Sequence, residues 1–181
     1  ETLEKSVAVG LEVISAILAL RDKNKIGVRW PLEKVIVFAK DEKIAKVIDG
    51  SKDLIKLLCN LKYVEIVIKK PPFVKLQTKV NYGNLAKRFK ERVPIIMRRI
   101  IEISPEAIRS GILKSGLYKF KADGEEVELI REDVIFVEEF PKDFVGTEYS
   151  EGNVYLEIKQ DPELLGEGFY REIMRRIQDI R

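Results

Sequence analysis

A basic segment in the middle of the chain, residues 79–92, combines the side-chain types that bind nucleic acids. Lysine and arginine neutralise phosphates, asparagine amides hydrogen-bond to base edges, and a tyrosine ring stacks on a base. The candidate RNA-binding residues are Lys79, Asn81, Tyr82, Asn84, Lys87, Arg88, Lys90 and Arg92. A second interpretation is that Tyr82 and Phe89 belong to a core and the charges form a solvated helix face. Composition and spacing leave both interpretations open.

Side chains for enzyme chemistry are scarce in the rest of the sequence. The 181 residues contain no histidine, which removes the usual general base, the usual zinc ligand and every Ser–His or Cys–His pair. The single cysteine, Cys59, follows Leu57 and Leu58, so we expect a small buried hydrophobic side chain and no disulfide. No glycine-rich loop opens a helix to cradle phosphates. These absences argue against most hydrolase mechanisms, and we predict no catalytic residue.

The overall composition is that of an ordinary globular protein with a surplus of charge. Hydrophobic residues make up 45% of the chain and charged residues 35%. The apolar run from Val7 to Leu20 contains Glu12 and Ser15 and is too short to cross a bilayer. It also lacks a signal-peptide cleavage site, so we predict a cytoplasmic protein with no membrane partner. The abundance of lysine, glutamate and isoleucine is compatible with a thermophilic source.

Charge is strongly segregated along the sequence. Residues 61–100 contain eleven basic and two acidic side chains, a net charge of +9. Residues 121–170 contain fifteen acidic and four basic side chains, a net charge of −11. This pattern is expected either from a polyanion-binding face beside a repelling one or from two faces that neutralise each other in the fold. The sequence does not decide between them.

The segments that position these residues begin with a helix and a small α/β unit. We predict a leading helix over 3–21, whose apolar residues lie nearly all round it and so require cover on both sides. Strands are expected over 35–40 and 63–69, with two short helices between them. Pro71 and Pro72 end this unit because proline removes a backbone donor.

The basic segment should belong to a helical middle region that is followed by antiparallel strands. The elements expected there are helices 85–90, 94–101 and 106–114, strands 117–122, 125–130 and 134–138, and a second hairpin of strands 145–149 and 154–158. The clearest turn is Asp123-Gly124, because this pair of residue types favours a type I′ hairpin.

The chain closes with an amphipathic helix that starts near Pro162. Asp161 can cap its N-terminus, and Pro162 suits the first helical position. Its apolar residues recur every three or four positions and predict a docked surface helix. They are Leu164, Leu165, Phe169, Ile173, Met174, Ile177 and Ile180. The predicted fold is therefore α+β: a leading helix, a small α/β unit, a basic helical middle and an antiparallel hairpin-rich sheet closed by a C-terminal helix.

Three segments of the sequence match motifs of one known family. Residues 167–181 read Glu-Gly-Phe-Tyr-Arg-Glu-Ile-Met-Arg-Arg-Ile-Gln-Asp-Ile-Arg, and residues 80–89 read Val-Asn-Tyr-Gly-Asn-Leu-Ala-Lys-Arg-Phe. Residues 21–32 read Arg-Asp-Lys-Asn-Lys-Ile-Gly-Val-Arg-Trp-Pro-Leu. All three resemble segments of isoleucyl-tRNA synthetases, in the branch that includes the archaeal enzymes. Ala86 and Lys90 stand where relatives usually have glycine, so the helix there should be more continuous.

The resemblance implies the C-terminal region of a class I aminoacyl-tRNA synthetase, the isoleucine–tRNA ligase, which attaches isoleucine to tRNA using ATP and magnesium. It implies three segments: residues 1–30 as the end of the helical anticodon-binding domain and its junction, residues 31–72 as the small α/β unit, and residues 73–181 as an α+β C-terminal subdomain. The sequence has no His-x-Gly-His or Lys-Met-Ser-Lys-Ser run, and it lacks the zinc-binding cysteines of some relatives. We therefore expect no catalysis, cofactor or metal in this region itself.

Two functions are compatible with the resemblance. The first is tRNA binding, on the anticodon arm, by the candidate residues of segment 79–92. The second is a protein-docking role, in which the acidic strands and the apolar leading helix bind other domains of the same synthetase chain and RNA is never contacted. Exposed apolar surface on the leading helix would also make the isolated region dimerise as an artefact of excision.

Overall fold

A computed structural model describes residues 2–180 of the protein, with side chains described from residue 7 onward. The chain forms two compact units. The first unit contains the chain up to Phe73 together with the chain from Phe140 onward, and the second unit is Val74–Glu139. Glu1 of the first predicted segment and Arg181 of the closing motif lie outside the described residues.

The structure is α+β, as the sequence predicts. The helices are α1 (Thr2–Lys23), α2 (Glu42–Asp49), α3 (Lys52–Leu58), α4 (Tyr82–Phe89), α5 (Val93–Glu102), α6 (Pro105–Ser115) and α7 (Pro162–Asp179). The strands are β1 (Leu32–Ala39), β2 (Leu61–Val67), β3 (Lys75–Val80), β4 (Leu117–Ala122), β5 (Glu125–Ile130), β6 (Val134–Glu139), β7 (Phe144–Tyr149) and β8 (Gly152–Glu157). Within residues 2–180, no helix has the length and apolar character that a bilayer crossing needs.

A mixed four-stranded sheet in the order β2-β1-β8-β7 organises the first unit. β1 and β2 are parallel, whereas β8 is antiparallel to both β1 and β7. The division of the chain therefore differs from the segments 1–30, 31–72 and 73–181, because the last hairpin pairs with β1 of the α/β unit. Residues 73–181 are split between the two units as a result.

The core of the first unit lies between one face of this sheet and helices α1, α2 and α3. Val35 and Val37 of β1 point into it, and Cys59 is fully buried in it, as predicted. Burial raises the pKa of the Cys59 thiol to about 11, which keeps it protonated and unreactive. Because side chains alternate along a strand, Lys34 and Ile36 point to the opposite face of the sheet.

Helix α1 is covered on one side only. Val13 and Ile17 are fully buried, whereas Val7 and Leu11 are 53% and 51% exposed. The expectation of cover on both sides is therefore not met within the described residues. The physical reason is that α2, α3 and the sheet pack against the side of α1 that carries Val13.

Helix α7 is docked through its N-terminal half. Asp161 caps it by accepting a hydrogen bond from the Leu164 N–H at 2.9 Å, as expected. Leu164 and Gly168 are buried, and Trp30 packs edge-on against Phe169 with ring centroids 5.1 Å apart. Besides Phe169, four large apolar residues of the predicted stripe remain exposed, namely Ile173, Met174, Ile177 and Ile180. Docking of the whole stripe is therefore wrong, because α7 bonds to the loop before β1 and to the residues around the start of β2 through Glu167, Arg171 and Glu172, which all precede these exposed residues.

Glu172 of α7 is surrounded by three arginines. Its carboxylate accepts hydrogen bonds from Arg175 at 2.9 Å and Arg176 at 3.3 Å on the same helix, and from Arg29 at 3.3 Å in the loop before β1. The hydrogen bonds from Arg175 and Arg176 lower the pKa of Glu172 from its ordinary value of 4.5 to about 2. The basic residues of this helix are thus used in ion pairs on the helix itself.

We expect an NMR titration to show that the Glu172 carboxyl ionises near pH 2. Because its folded pKa lies below its unfolded value, the pairing stabilises the fold above about pH 4.5, and this contribution is lost as the pH falls towards 2. Arg175→Gln should raise the pKa of Glu172, whereas Arg171→Gln, which removes a partner of Glu167, should leave it unchanged. A wild-type pKa of Glu172 near 4.5 would contradict the pairing.

The second unit packs α4, α5 and α6 against two antiparallel ribbons, β3–β6 and β4–β5. The β4–β5 hairpin turns at Asp123 and Gly124, whose positive φ values of 55° and 80° fit the predicted type I′ turn. Ser104 caps α6, and Gly116 ends it in the left-handed conformation. The strands expected to form one hairpin-rich sheet are thus distributed over three sheets, two of them in this unit.

Candidate nucleic-acid interface

Strand β3 and helix α4 position the candidate RNA-binding residues. β3 pairs with β6, and Asn81, directly after β3, donates its backbone N–H to the Asp133 carbonyl at 2.8 Å. Leu85 is fully buried and anchors α4 against the core of the second unit. Since Leu85 points inward, Lys87, which is about 160° away around the helix, faces solvent.

Arg88 is committed to the fold. Its guanidinium forms an ion pair with the Asp133 carboxylate and donates to the Glu128 carbonyl oxygen at 3.0 Å. Asp133 is fully buried and also accepts a hydrogen bond from the Ile130 N–H at 3.0 Å. A phosphate that competed for Arg88 would leave this buried carboxylate without its cation, which is energetically costly. The arrangement favours a structural role for Arg88.

Arg92 and Asn84 are engaged in a similar way. Arg92 forms an ion pair with Glu125 of β5, and the Asn84 side-chain amide donates to the Glu132 carbonyl at 2.8 Å. Asn81 occupies the N-cap position of α4, but its side chain accepts no capping hydrogen bond. Arg92 therefore points at the β4–β5 hairpin and Asn84 at the turn between β5 and β6, while the Asn81 amide is not used as a cap.

Four candidates face solvent without a partner in the part of the chain that the structure describes. Lys79, Lys87 and Lys90 are exposed and make no hydrogen bond or ion pair there. Tyr82 is 62% exposed in the first turn of α4. Phe89, in contrast, packs against the core, as the second interpretation predicts for it. We call Lys79, Tyr82, Lys87 and Lys90 the α4 surface.

Acidic side chains of the β4–β5 hairpin and of the turn after it neutralise part of the basic segment. Glu125 of the hairpin pairs with Arg92, and Asp133 of the turn pairs with Arg88. Within the hairpin itself, Lys119 contacts Glu126 at 3.0 Å and Glu128 at 2.6 Å. The hydrogen bond from Lys119 lowers the pKa of the Glu128 carboxyl. The second unit as a whole contains thirteen basic and eleven acidic side chains, a net charge of +2. Mutual neutralisation therefore accounts for the engaged arginines, while the lysines of the α4 surface have no ion-pair partner among residues 7–180.

Two lysines of the first unit, which no sequence motif marks, lack a partner among residues 7–180. Lys34 lies in β1, and Lys69 follows β2. The two are far apart along the chain, so no linear motif joins them. The only sequence signal was the alternation in β1, which places Lys34 on the face of the sheet opposite to Val35.

Among residues 7–180, no group of three or more His, Cys, Asp or Glu side chains is arranged to hold a metal ion. The α4 surface offers cations and an aromatic ring, which bind phosphates and bases.

Sequence similarity to known proteins extends over the whole chain. The isoleucine–tRNA ligase of Methanococcus maripaludis is 35% identical to it over all 181 residues. The ligases of Methanopyrus kandleri and Sulfolobus acidocaldarius are 30% and 31% identical over 100% and 99% of the chain. The chain is related to the archaeal isoleucine–tRNA ligases. No protein-family model matches it.

The match covers a limited part of each isoleucine–tRNA ligase. The chain spans about 16% of the length of the curated relatives it matches, a share consistent with a C-terminal region. The resemblance based on three short motifs is confirmed, because the similarity continues through the residues between them. The name isoleucine–tRNA ligase describes the activity of these relatives as whole proteins.

Proposed function

We propose that the chain is the non-catalytic, tRNA-binding C-terminal region of an isoleucine–tRNA ligase and that it acts on the anticodon arm of isoleucine tRNA. The complete enzyme attaches isoleucine to tRNA in the cytoplasm, with ATP and magnesium bound elsewhere in its chain. Its partners are then tRNA and the rest of the synthetase. The observation that carries this proposal is the exposed, unpaired α4 surface in a chain related to tRNA ligases.

The physical properties of the α4 surface suit an RNA stem and loop. Lys79, Lys87 and Lys90 have no hydrogen-bond or ion-pair partner among residues 7–180, so they can neutralise phosphates without breaking a contact described there. The ring of Tyr82 can stack on an unpaired base, which is how single-stranded loops are usually recognised. The Asn81 side chain, adjacent to Tyr82, adds an amide that can read a base edge.

Charge reversal at Lys87 and Lys90 is expected to weaken binding of isoleucine tRNA. The variant Lys87→Glu/Lys90→Glu removes two phosphate contacts. The slope of the logarithm of the association constant K against the logarithm of the salt concentration should therefore flatten by about 1.4 to 1.8. The matched control is Arg109→Glu/Lys114→Glu on α6, where two exposed cations of the same unit receive the same change of charge. Binding should be followed by fluorescence anisotropy across a salt titration, with an unrelated tRNA in parallel.

The outcomes of this titration are distinct. Preference for isoleucine tRNA that survives moderate salt and depends on Lys87 and Lys90 supports a recognition module. Equal losses in the α4 variant and the α6 control would show a diffuse electrostatic attraction and contradict the assignment of the site. Absence of any tRNA binding would favour the docking function.

The alternative function, docking onto other domains of the synthetase, is favoured by exposed apolar surface in the first unit. Val7 and Leu11 on α1 are about half exposed, and Ile173 and Ile177 on α7 are 56% and 52% exposed. Such rows of apolar side chains are typical of surfaces that another protein element covers. Under this function, variants of the α4 surface would leave tRNA charging by the complete enzyme unchanged.

A further inference from the structure

A pocket of about 590 Å³ lies on the sheet of the first unit. It is lined by Ile36 of β1 and Val67 of β2, and the chain after β2 contributes Pro71, Pro72 and Phe73 to its wall. Ile36 alternates with the β1 residues that face the helices, so the pocket is on the other face of the sheet. We call this face, which carries no helix of the core described above, the open face.

Aromatic rings fill the part of the open face over β7 and β8. Tyr155 is fully buried, with ring centroids 6.3 Å from Phe73 and 5.8 Å from Phe140. Phe73 also packs against Phe144 at 4.5 Å. These contacts fix Phe73 in place as a wall of the pocket. The cleft over β1 and β2 is therefore pre-formed by packing.

The charged side chains that line this pocket are mainly basic. They are Lys34, Lys69, Lys70 and Glu65. Lys34 and Lys69 make no hydrogen bond or ion pair with the described residues. The Lys70 ammonium lies 5.8 Å from the centroid of the Phe38 ring, a cation–π distance. An apolar cleft with a surplus of cations is complementary to a ligand that combines a planar apolar group with negative charge.

An exposed tyrosine extends the open face along β2. Tyr63 is in register with Lys34, and Glu65 is in register with Ile36, so the four side chains share this face. Tyr63 is 62% exposed. Aromatic and basic side chains together on a sheet surface form a platform on which bases of single-stranded RNA stack.

We infer that the open face binds single-stranded RNA, with one nucleotide in the pocket and the neighbouring base stacked on Tyr63. Lys34 and Lys69 neutralise the phosphates, and Glu65 accepts a hydrogen bond from an exocyclic base amine. This inference rests on the proposed function in one respect, namely that RNA is the polyanion the chain meets. It adds a binding site in the first unit, separate from the α4 surface of the second unit.

The chemistry of the open face favours a single strand over other polyanions. A duplex keeps its base faces stacked inside the helix and has none to offer to Tyr63 or to the pocket. An acidic peptide would satisfy Lys34 and Lys69 but would offer no planar apolar group to the pocket or to the Tyr63 ring. Unstacked nucleotides supply both the planar apolar group and the phosphate.

The test is the affinity of the full chain for a fluorescein-labelled single-stranded RNA heptamer of mixed sequence, measured by anisotropy across a salt titration. Lys34→Glu/Lys69→Glu should flatten the slope of log K against log salt by about 1.4, since two phosphate contacts to a single strand are lost. The matched control is Lys43→Glu/Lys46→Glu on α2, with the same change of charge in the same unit on the helix-bearing side of the sheet.

A second pair of variants tests stacking without changing charge. Tyr63→Ala should weaken binding of the heptamer about tenfold, whereas Tyr63→Phe should leave it unchanged, because stacking needs the ring and not the hydroxyl group. Tyr63 is exposed, so circular dichroism should show both variants folded like the wild type. Equal losses in the two lysine pairs, an unaffected Tyr63→Ala variant, or displacement of the heptamer by an equimolar polyglutamate peptide would overturn the inference.

The α4 variant separates this inference from the proposed function. If the open-face variants weaken binding of the heptamer while Lys87→Glu/Lys90→Glu leaves the affinity for isoleucine tRNA unchanged, the inference holds and the proposed α4 site fails. If binding of isoleucine tRNA depends on Lys87 and Lys90 while Lys34→Glu/Lys69→Glu leaves the affinity for the heptamer unchanged, the proposed function holds and the inference fails.

Discussion

Replacement of Arg21 by methionine is expected to destabilise the first unit by about 3 kcal/mol. Arg21 is 1% exposed at the end of α1. Its guanidinium donates to the carbonyl oxygens of Gly27 at 3.2 Å, Trp30 at 3.0 Å and Asn60 at 3.2 Å. One side chain therefore ties the helix to the loop before β1 and to the turn before β2. Burial lowers the pKa of Arg21 to about 10, so it remains charged at neutral pH.

The expected magnitude is a balance of two effects. Methionine keeps an elongated, apolar side chain but removes every donor, and each hydrogen bond from a charged donor contributes about 1.5 to 3 kcal/mol. Removal of a buried cation returns part of that free energy, because the guanidinium no longer has to be desolvated. The hydrogen bonds dominate because three carbonyl oxygens lose a charged donor together.

Urea unfolding followed by Trp30 fluorescence measures this effect. Trp30 is the only tryptophan of the chain and packs within the first unit, so its emission reports that unit. The control is Lys43→Met, because Lys43 is exposed on α2 of the same unit and its loss should change the free energy of unfolding by less than about 0.5 kcal/mol. Similar urea midpoints of unfolding for the Arg21→Met protein and the wild type would show that Arg21 does not stabilise the contact between α1 and these loops.

Arg88→Met is expected to destabilise the second unit by about 3 kcal/mol. The fully buried Asp133 carboxylate would lose its cation and keep only the Ile130 N–H as a hydrogen-bond donor. The Glu128 carbonyl would lose its Arg88 donor as well. Removal of one member of a buried pair costs more free energy than the pair contributes, because an uncompensated charge stays buried.

The neighbouring residue provides the control for Arg88. Lys87→Met removes a cation one position away that has no partner within residues 7–180, so stability should change by less than about 0.5 kcal/mol. Hydrogen exchange of the Ile130 amide should accelerate in Arg88→Met and not in Lys87→Met, because this amide donates to Asp133. In the double variant Arg88→Met/Asp133→Asn the loss should be smaller than the sum of the single losses. Equal exchange rates in the two single variants would refute the structural role of Arg88.

Several local features could be predicted from short stretches of sequence. Ser104 and Gly116 delimit α6, Asp161 caps α7, and Asp123-Gly124 turns the β4–β5 hairpin. In each case the signal and the structure involve residues within four positions of each other. Backbone preferences and capping hydrogen bonds act over that range, so the sequence alone is sufficient.

The candidate site could be predicted only in part. Lys87 and Arg88 are adjacent cations on one predicted helix, and nothing near them in the sequence distinguishes them. In the structure Arg88 is paired with Asp133, which is 45 positions away, while Lys87 remains unpaired among the described residues. Whether a cation of this helix is structural or is available for binding therefore depends on a distant carboxylate, that of Asp133, which follows β5.

The sequence by itself determined the α+β class, the local helices and turns, the family resemblance and the absence of synthetase catalytic motifs from these residues. Only the tertiary structure decided that β8 pairs with β1, that the second half of the α7 stripe is exposed, and which cations are left unpaired. The physical reason is the range of the interactions. Helix periodicity, caps and tight turns depend on neighbouring residues, whereas strand pairing, burial and ion pairing depend on residues that only the folded chain brings together.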